Sequence, residues 1–118
     1  MAKILIVDDS RTSRKFLRTM LEADQHEIIG EASNGIEGIE KYKELNPDIT
    51  TMDITMPELD GIEALKKIME FDPDAKVVMV TAAGQKNKIV EAVKYGAKEF
   101  LAKPFEAEQI RSIINSLD

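Results

Sequence analysis

Lys3-Ile4-Leu5-Ile6-Val7-Asp8-Asp9-Ser10 is the stretch that decides the architecture of this chain. Aliphatic residues run without a polar interruption from Ile4 to Val7, and two carboxylates follow at once. A strand with one wet face alternates apolar and polar side chains. An uninterrupted run instead marks a strand covered on both faces, as in the middle of a parallel sheet. Val77-Val78-Met79-Val80 repeats the pattern and ends at Thr81. Shorter runs lie at Ile28–Ile29, Ile49–Met52 and Phe100–Ala102.

Between these runs the apolar spacing changes to three and four residues, the period of a helix with one buried face. Phe16, Leu17, Met20 and Leu21 share such a face, and so do Ile36 and Ile39. Ile62, Leu65, Ile68 and Met69 mark a third helix, Ile89, Val90 and Val93 a fourth, and Ile110, Ile113, Ile114 and Leu117 a fifth. Strand followed by helix, five times over, predicts an α/β protein: a single doubly wound (βα)5 domain over residues 1–118, with a parallel sheet and helices on both faces. Asn46-Pro47-Asp48 and Asp72-Pro73-Asp74 read as helix exits that lead into strands. No linker, low-complexity tract or second domain interrupts the pattern.

Composition narrows the function classes. A chain of 118 residues suits one compact domain, and 43% hydrophobic content is enough for a core. With no Trp, that core must be mainly aliphatic. A net charge of -6 argues against duplex DNA and against an anionic membrane surface as partners. The absence of Cys removes disulfides, thiol nucleophiles and thiolate metal sites. The first apolar run is too short for a leader or a membrane span, so a cytoplasmic protein is expected.

The polar residues fall at telling positions. Asp8 and Asp9 follow the first strand, Asp53 follows the third, Thr81 ends the fourth and Lys103 ends the fifth. In an open parallel sheet the carboxyl ends of the strands share one edge, where ligands bind. Carboxylates gathered there would repel one another, and a hard divalent cation such as Mg²⁺ would relieve this. Lys103 adds a point charge and Thr81 a hydroxyl, which suit a tetrahedral anion beside the metal. These are the parts needed for phosphoryl transfer to an aspartate. Taken singly, each residue has an ordinary reading: Asp8-Asp9 a solvated turn or cap, Thr81 a satisfied strand-end hydroxyl, Lys103 a surface charge. Their convergence carries the functional reading. His26, the only histidine, has no partner histidine nearby and is expected at the surface or a strand edge, without a ligand role. The Met residues read as core filler, with Met52 and Met79 inside buried strands.

At these positions the chain resembles the receiver domains of bacterial response regulators, and among them the single-domain chemotaxis type. The matching segments are Ile6-Val7-Asp8-Asp9-Ser10, Met52-Asp53-Ile54-Thr55-Met56-Pro57, Asp60-Gly61, Val80-Thr81-Ala82 and Ala102-Lys103-Pro104-Phe105. The resemblance implies a flavodoxin-like five-stranded sheet of order 2-1-3-4-5. It implies that Asp53 is the phosphoacceptor, forming 4-aspartylphosphate. Asp9 and Asp53 would bind Mg²⁺ through their carboxylates, Thr55 through its backbone carbonyl, and Asp8 mainly through a coordinated water. Lys103 would pair with Asp53 at rest and with the phosphoryl oxygens afterwards, Thr81 would hydrogen-bond a phosphoryl oxygen, and the Lys103–Pro104 bond would be cis. Such a protein is not a conventional enzyme: it catalyses its own phosphorylation from a phosphodonor and its own slow dephosphorylation. Its partners would be a sensor histidine kinase and an effector in trans, a flagellar motor switch protein above all, with the chain itself monomeric.

In this family the phosphoryl group draws the threonine hydroxyl inward and vacates space for an aromatic side chain on the fifth strand, here Phe100. Phe100 lacks the hydroxyl of the Tyr found in many chemotaxis receivers, so it can fill the space but cannot hydrogen-bond a partner. The responsive surface would be the fourth helix, fifth strand and fifth helix. Lys86, Lys88, Lys94 and Lys98 there read either as a site for an acidic peptide or as a solvated face. Thr55 and Ala83 flank the path of a hydrolytic water and are poorly suited to orient it, which predicts slow to moderate autodephosphorylation. Glu106 is a weak N-cap for the fifth helix.

Three other functions share parts of this pattern. A flavin-binding carrier would need neutral, Ser/Thr/Gly-rich chemistry after the first strand, where Asp8-Asp9 stands. An aspartate-nucleophile phosphohydrolase commonly carries a second Asp two residues after the nucleophile, where Thr55 stands. A phosphorelay intermediate that passes its phosphoryl group to a His-containing protein remains open beside the chemotaxis reading. A receiver unable to accept phosphate is disfavoured by the presence of Asp8, Asp9, Asp53, Thr81 and Lys103.

Overall fold

A computed structural model describes residues 1–118 and shows strands and helices in strict alternation: β1 (Lys3–Val7), α1 (Arg11–Ala23), β2 (Glu27–Ala32), α2 (Gly35–Leu45), β3 (Ile49–Asp53), α3 (Gly61–Phe71), β4 (Val77–Thr81), α4 (Lys86–Lys94), β5 (Glu99–Ala102) and α5 (Ala107–Leu117). The strands are all parallel, in the order β2-β1-β3-β4-β5. β1 is paired on both edges and covered on both faces, which accounts for its uninterrupted apolar run. Successive side chains of a strand point to opposite faces. Leu5, Val7, Met52 and Met79 therefore enter one core with Tyr42, Leu65, Ile68 and Ala92 of α2, α3 and α4. Ile4, Ile6, Ile49 and Val78 enter the other with Leu17, Leu21, Ile110 and Ile114 of α1 and α5. No helix is long and apolar enough to cross a membrane.

The helix starts are written locally. Ser10, Asn34 and Asp60 each accept a backbone N–H from the third residue beyond, satisfying an otherwise orphaned donor. Asn46 ends α2 in the left-handed region at φ 48, a conformation its side chain tolerates. At α5 the Gln109 side chain accepts from the Glu106 N–H at 2.7 Å, which supports a start that Glu106 alone would cap weakly.

Several expectations are corrected by packing. β2 runs from Glu27 to Ala32, well beyond Ile28–Ile29. It is an edge strand, half-wet along most of its length, so Glu27, Gly30 and Glu31 hide its pattern. Phe16 is not in the core. It is 50% exposed and rests on Phe105, with ring centroids 5.8 Å apart. Ile36 is exposed, and α2 instead buries Gly35, Gly38 and Tyr42. On α4 the apolar spacing misleads: Val90 and Val93 face solvent while Ala92 is buried and Ile89 half-buried. His26 is buried rather than at the surface, and its Nδ1 accepts the Ala2 N–H at 3.0 Å. Thr50 and Thr51 sit fully buried in β3 with no partner for either hydroxyl.

Candidate functional site

The carboxyl ends of β1, β3, β4 and β5 meet at one edge, as parallel pairing requires. Asp8 is almost fully buried there. Its Oδ1 accepts the Ser10 N–H at 2.8 Å, and the Arg14 guanidinium donates to its carbonyl at 2.7 Å. Asp9, one residue on, is exposed. Asp53 ends β3 in an intermediate environment, and the backbone beyond it is held closely: Ile54 N–H donates to the Val80 carbonyl at 3.2 Å, and Gly61 N–H to the Ile54 carbonyl at 2.7 Å. Gly61 has to be glycine for this approach, because a Cβ there would lie 2.0 Å from the Asp53 carbonyl oxygen. That is the physical content of Asp60-Gly61: Asp60 caps α3, and Gly61 lets α3 start against the end of β3.

Carboxylate oxygens of Asp8, Asp9 and Asp53 all lie within 4.8 Å of one another. The Asp53 carboxyl is pushed up to about 6, first by burial, then by the Asp8 charge, with Asp9 adding to the effect; Lys103 and the Ile54 N–H oppose it. Lys103 Nζ lies 3.2 Å from Asp8 Oδ2, 3.5 Å from Ser13 Oγ and 3.9 Å from Asp53 Oδ1. The expected resting pair of Lys103 with Asp53 is thus a shared arrangement that favours Asp8, the more deeply buried carboxylate. The Lys103–Pro104 peptide is cis. Lys103 N–H donates to the Thr81 carbonyl at 2.7 Å, tying the end of β5 to that of β4, and Thr81 is buried beside them.

Thr55 is exposed two residues beyond Asp53, and Phe100 is half-buried on β5 against the core that contains Ala92. Lys86, Lys88, Lys94 and Lys98 are all exposed. One residue that sequence reasoning passed over belongs to this edge. Gln85 Oε1 accepts the Ala82 N–H at 2.6 Å, and its Nε2 donates to the Thr55 hydroxyl at 2.7 Å. A carboxamide four residues after Thr81 was visible in the chain, but nothing in its spacing says that the side chain folds back over the strand ends.

The donor set is chemically coherent. Three carboxylates within ligand reach of one another, one of them resisting ionisation, fit a hard divalent cation with oxygen ligands and retained waters. Asp8, Asp9 and Asp53 could hold Mg²⁺. Lys103 Nζ lies 3.9 Å from Asp53 Oδ1, and Thr81 ends the strand beside β3.

The chain is similar in sequence and fold to known proteins. Residues 4–115 match the response regulator receiver domain family. The chain is 49% identical over 110 residues to the chemotaxis protein CheY of Listeria monocytogenes, covering 93% of this chain and 92% of that one. It is 48% identical over 115 residues to that of Thermotoga maritima, covering 98% and 96%. Among solved structures, a chain of the CheX-CheY-BeF3-Mg complex from Borrelia burgdorferi superimposes with a TM-score of 0.92 at 40% identity, covering 97% of this chain and 87% of that one. A receiver domain protein from Clostridium thermocellum gives 0.93 at 33% identity, covering 99% and 94%.

Proposed function

This chain belongs to the response regulator receiver domain family, and from that premise we propose that it is a phosphorylation-activated response regulator whose phosphoacceptor is Asp53. Receiver domains are signalling domains rather than conventional enzymes, so the chemistry here ends with the protein itself modified. The observation that carries the reading is the cluster of Asp53 with Asp8 and Asp9 within 4.8 Å, with Lys103 Nζ 3.9 Å from Asp53.

Asp53 supplies the nucleophile. A carboxylate oxygen forms a bond to phosphorus as the donor's phosphorus–oxygen bond breaks, and the leaving group departs with the electron pair. Mg²⁺ held by Asp8, Asp9 and Asp53 with the Thr55 carbonyl would neutralise charge on the transferred group. Lys103 would turn from Asp8 toward the new phosphoryl oxygens, and the Thr81 hydroxyl would donate to one of them. Movement of Thr81 would open space for Phe100, which stands half-buried on the neighbouring strand. On this reading the chain works in the cytoplasm as one receiver domain. A sensor histidine kinase would serve as phosphodonor and an effector in trans as its output. The similarity to several chemotaxis proteins supports a chemotaxis system, with a flagellar motor switch protein as the effector.

Intact mass after incubation with acetyl phosphate, with and without Mg²⁺, tests this on the chain and on Asp53→Ala. A single Mg²⁺-dependent phosphoryl addition, absent in Asp53→Ala and removed by hydroxylamine, is expected. An addition that survives in Asp53→Ala would overturn the assignment of the acceptor.

A further inference from the structure

Gln85 occupies the N-cap position of α4, yet its side chain makes no cap hydrogen bond. It turns back over the sheet edge and bridges the Ala82 N–H and the Thr55 hydroxyl, at 2.6 and 2.7 Å. Ala82 follows Thr81 and Thr55 lies two residues past Asp53, so one carboxamide spans the loops after β3 and β4. Ala82 and Thr55 are both exposed residues that water could serve. Holding a Gln side chain in this geometry costs rotamer freedom, so the bridge is not the default state of a solvated amide.

The helix that Gln85 precedes is weakly secured at its start. Of the other helices that begin at this edge, α1, α2 and α3 have Ser10, Asn34 and Asp60 as side-chain caps, and α5 has the Gln109 side chain on the Glu106 N–H. α4 has none, and no acidic residue stands in its first turn. Lys86 and Lys88 stand there instead, against the favoured sign for a helix N-terminus. Gly84, just before, adopts φ +86, and Ala92 is the single fully buried residue of the helix. A side chain that could have served α4 is committed to the acceptor edge.

Resting on the reading of Asp53 as phosphoacceptor, we propose that Gln85 is a positioning residue: a latch that holds the Ala82 N–H and the Thr55 hydroxyl in the resting chain and yields them when Asp53 carries a phosphoryl group, freeing the start of α4. The exchange follows from the relative strength of the acceptors. A phosphoryl group brings nearly two negative charges and three acceptor oxygens to an edge where Lys103 is already drawn to Asp8. A charged oxygen competes for an N–H more strongly than a neutral carboxamide does. Once displaced, Gln85 no longer ties the loop before α4 to the β3 side of the edge. The coupling is reciprocal, so whatever favours release of the latch also favours the phosphorylated state.

Gln85→Met tests the latch, because it keeps the length of the side chain and removes both hydrogen bonds. Amide hydrogen exchange at Ala82, read by NMR on the unphosphorylated chain, should accelerate about fivefold or more, as expected for the loss of one ordinary hydrogen bond. Phosphoryl gain from acetyl phosphate with Mg²⁺, followed by intact mass, should accelerate by a similar factor of about three to ten. Thr55→Val should produce part of each effect and add nothing in the Gln85→Met background, because both changes open the same bridge. Unchanged Ala82 exchange, or equal rates of phosphoryl gain in the wild type and Gln85→Met, overturns the latch alone. Failure of the wild type to gain a phosphoryl group overturns the phosphoacceptor reading and the latch with it.

Discussion

The Lys103 ammonium lies 3.2 Å from Oδ2 of Asp8, a carboxylate side chain that is 1% exposed, and 3.9 Å from Oδ1 of Asp53. The cation at the sheet edge is therefore committed mainly to the carboxylate that solvent reaches least. Asp53, the nucleophile of the proposed reaction, is left under-compensated, and this agrees with the upward displacement of its ionisation.

Removing that cation should cost stability through Asp8 rather than Asp53. Lys103→Met is expected to destabilise the Mg²⁺-free chain by about 1–3 kcal/mol at neutral pH, the penalty for leaving a buried charged group without its partner. Adding Asp8→Asn in the same background should recover most of the loss. Urea midpoints of the two variants decide the point, and a double variant no more stable than Lys103→Met would show that Asp8 is not the group being compensated.

The Asp53 carboxyl, near 6 in the folded chain against 3.8 as the ordinary value, makes stability depend on pH in a definite direction. Between those values the folded state holds a proton that the unfolded state has released. The contribution is fully present below 3.8 and is lost as pH rises through about 6. Asp53→Asn should abolish this part of the profile and be the more stable protein at pH 7 without Mg²⁺. Mg²⁺ affinity of the unsubstituted chain should fall as pH is lowered through about 6, because the cation needs the ionised form. Denaturation across pH 4–8 and Mg²⁺ titration at each pH measure both.

Gly61 and Gly84 should respond differently to alanine. At Gly61 a Cβ would stand 2.0 Å from the Asp53 carbonyl oxygen and 2.9 Å from the Ile54 Cα, backbone atoms that cannot rotate away. Gly61→Ala should cost about 3 kcal/mol, and it should weaken Mg²⁺ binding by displacing the end of β3. At Gly84 nothing lies within 4 Å and only the positive φ is strained, so Gly84→Ala should cost about 1 kcal/mol with Mg²⁺ affinity intact. Chemical denaturation with parallel Mg²⁺ titrations separates a steric effect at the acceptor from a local backbone cost.

The hydroxyls of Thr50 and Thr51 are buried without partners on the two faces of β3. Val has nearly the same shape and no polar atom to desolvate. Thr50→Val and Thr51→Val should each raise stability, by about 1 kcal/mol, and leave phosphoryl acceptance unaltered. A fall in melting temperature for either would mean that its hydroxyl is satisfied in solution.

The alternation of Ile4–Val7 and Val77–Val80 with helical spacings was sufficient for the (βα)5 architecture, because strand and helix periods are local properties of the chain. Gathering Asp8, Asp9, Asp53, Thr81 and Lys103 at one edge was also legible, since parallel strands necessarily bring their carboxyl ends together. The order 2-1-3-4-5 entered with the family resemblance, and pairing in the structure bears it out. Tertiary structure alone decided which neighbour each side chain met. Spacing placed Val90 and Val93 on a helical face, but only the packing of α4 leaves them in water while Ala92 turns inward. It placed His26 beside a strand, but only the return of the N-terminus to β2 gives its Nδ1 the Ala2 N–H. Lys103 chose Asp8, and Gln85 chose Ala82 and Thr55, because side-chain reach and burial act across elements far apart in sequence. A one-dimensional period records which residues share a face, and the surface that covers the face arrives only when the chain folds.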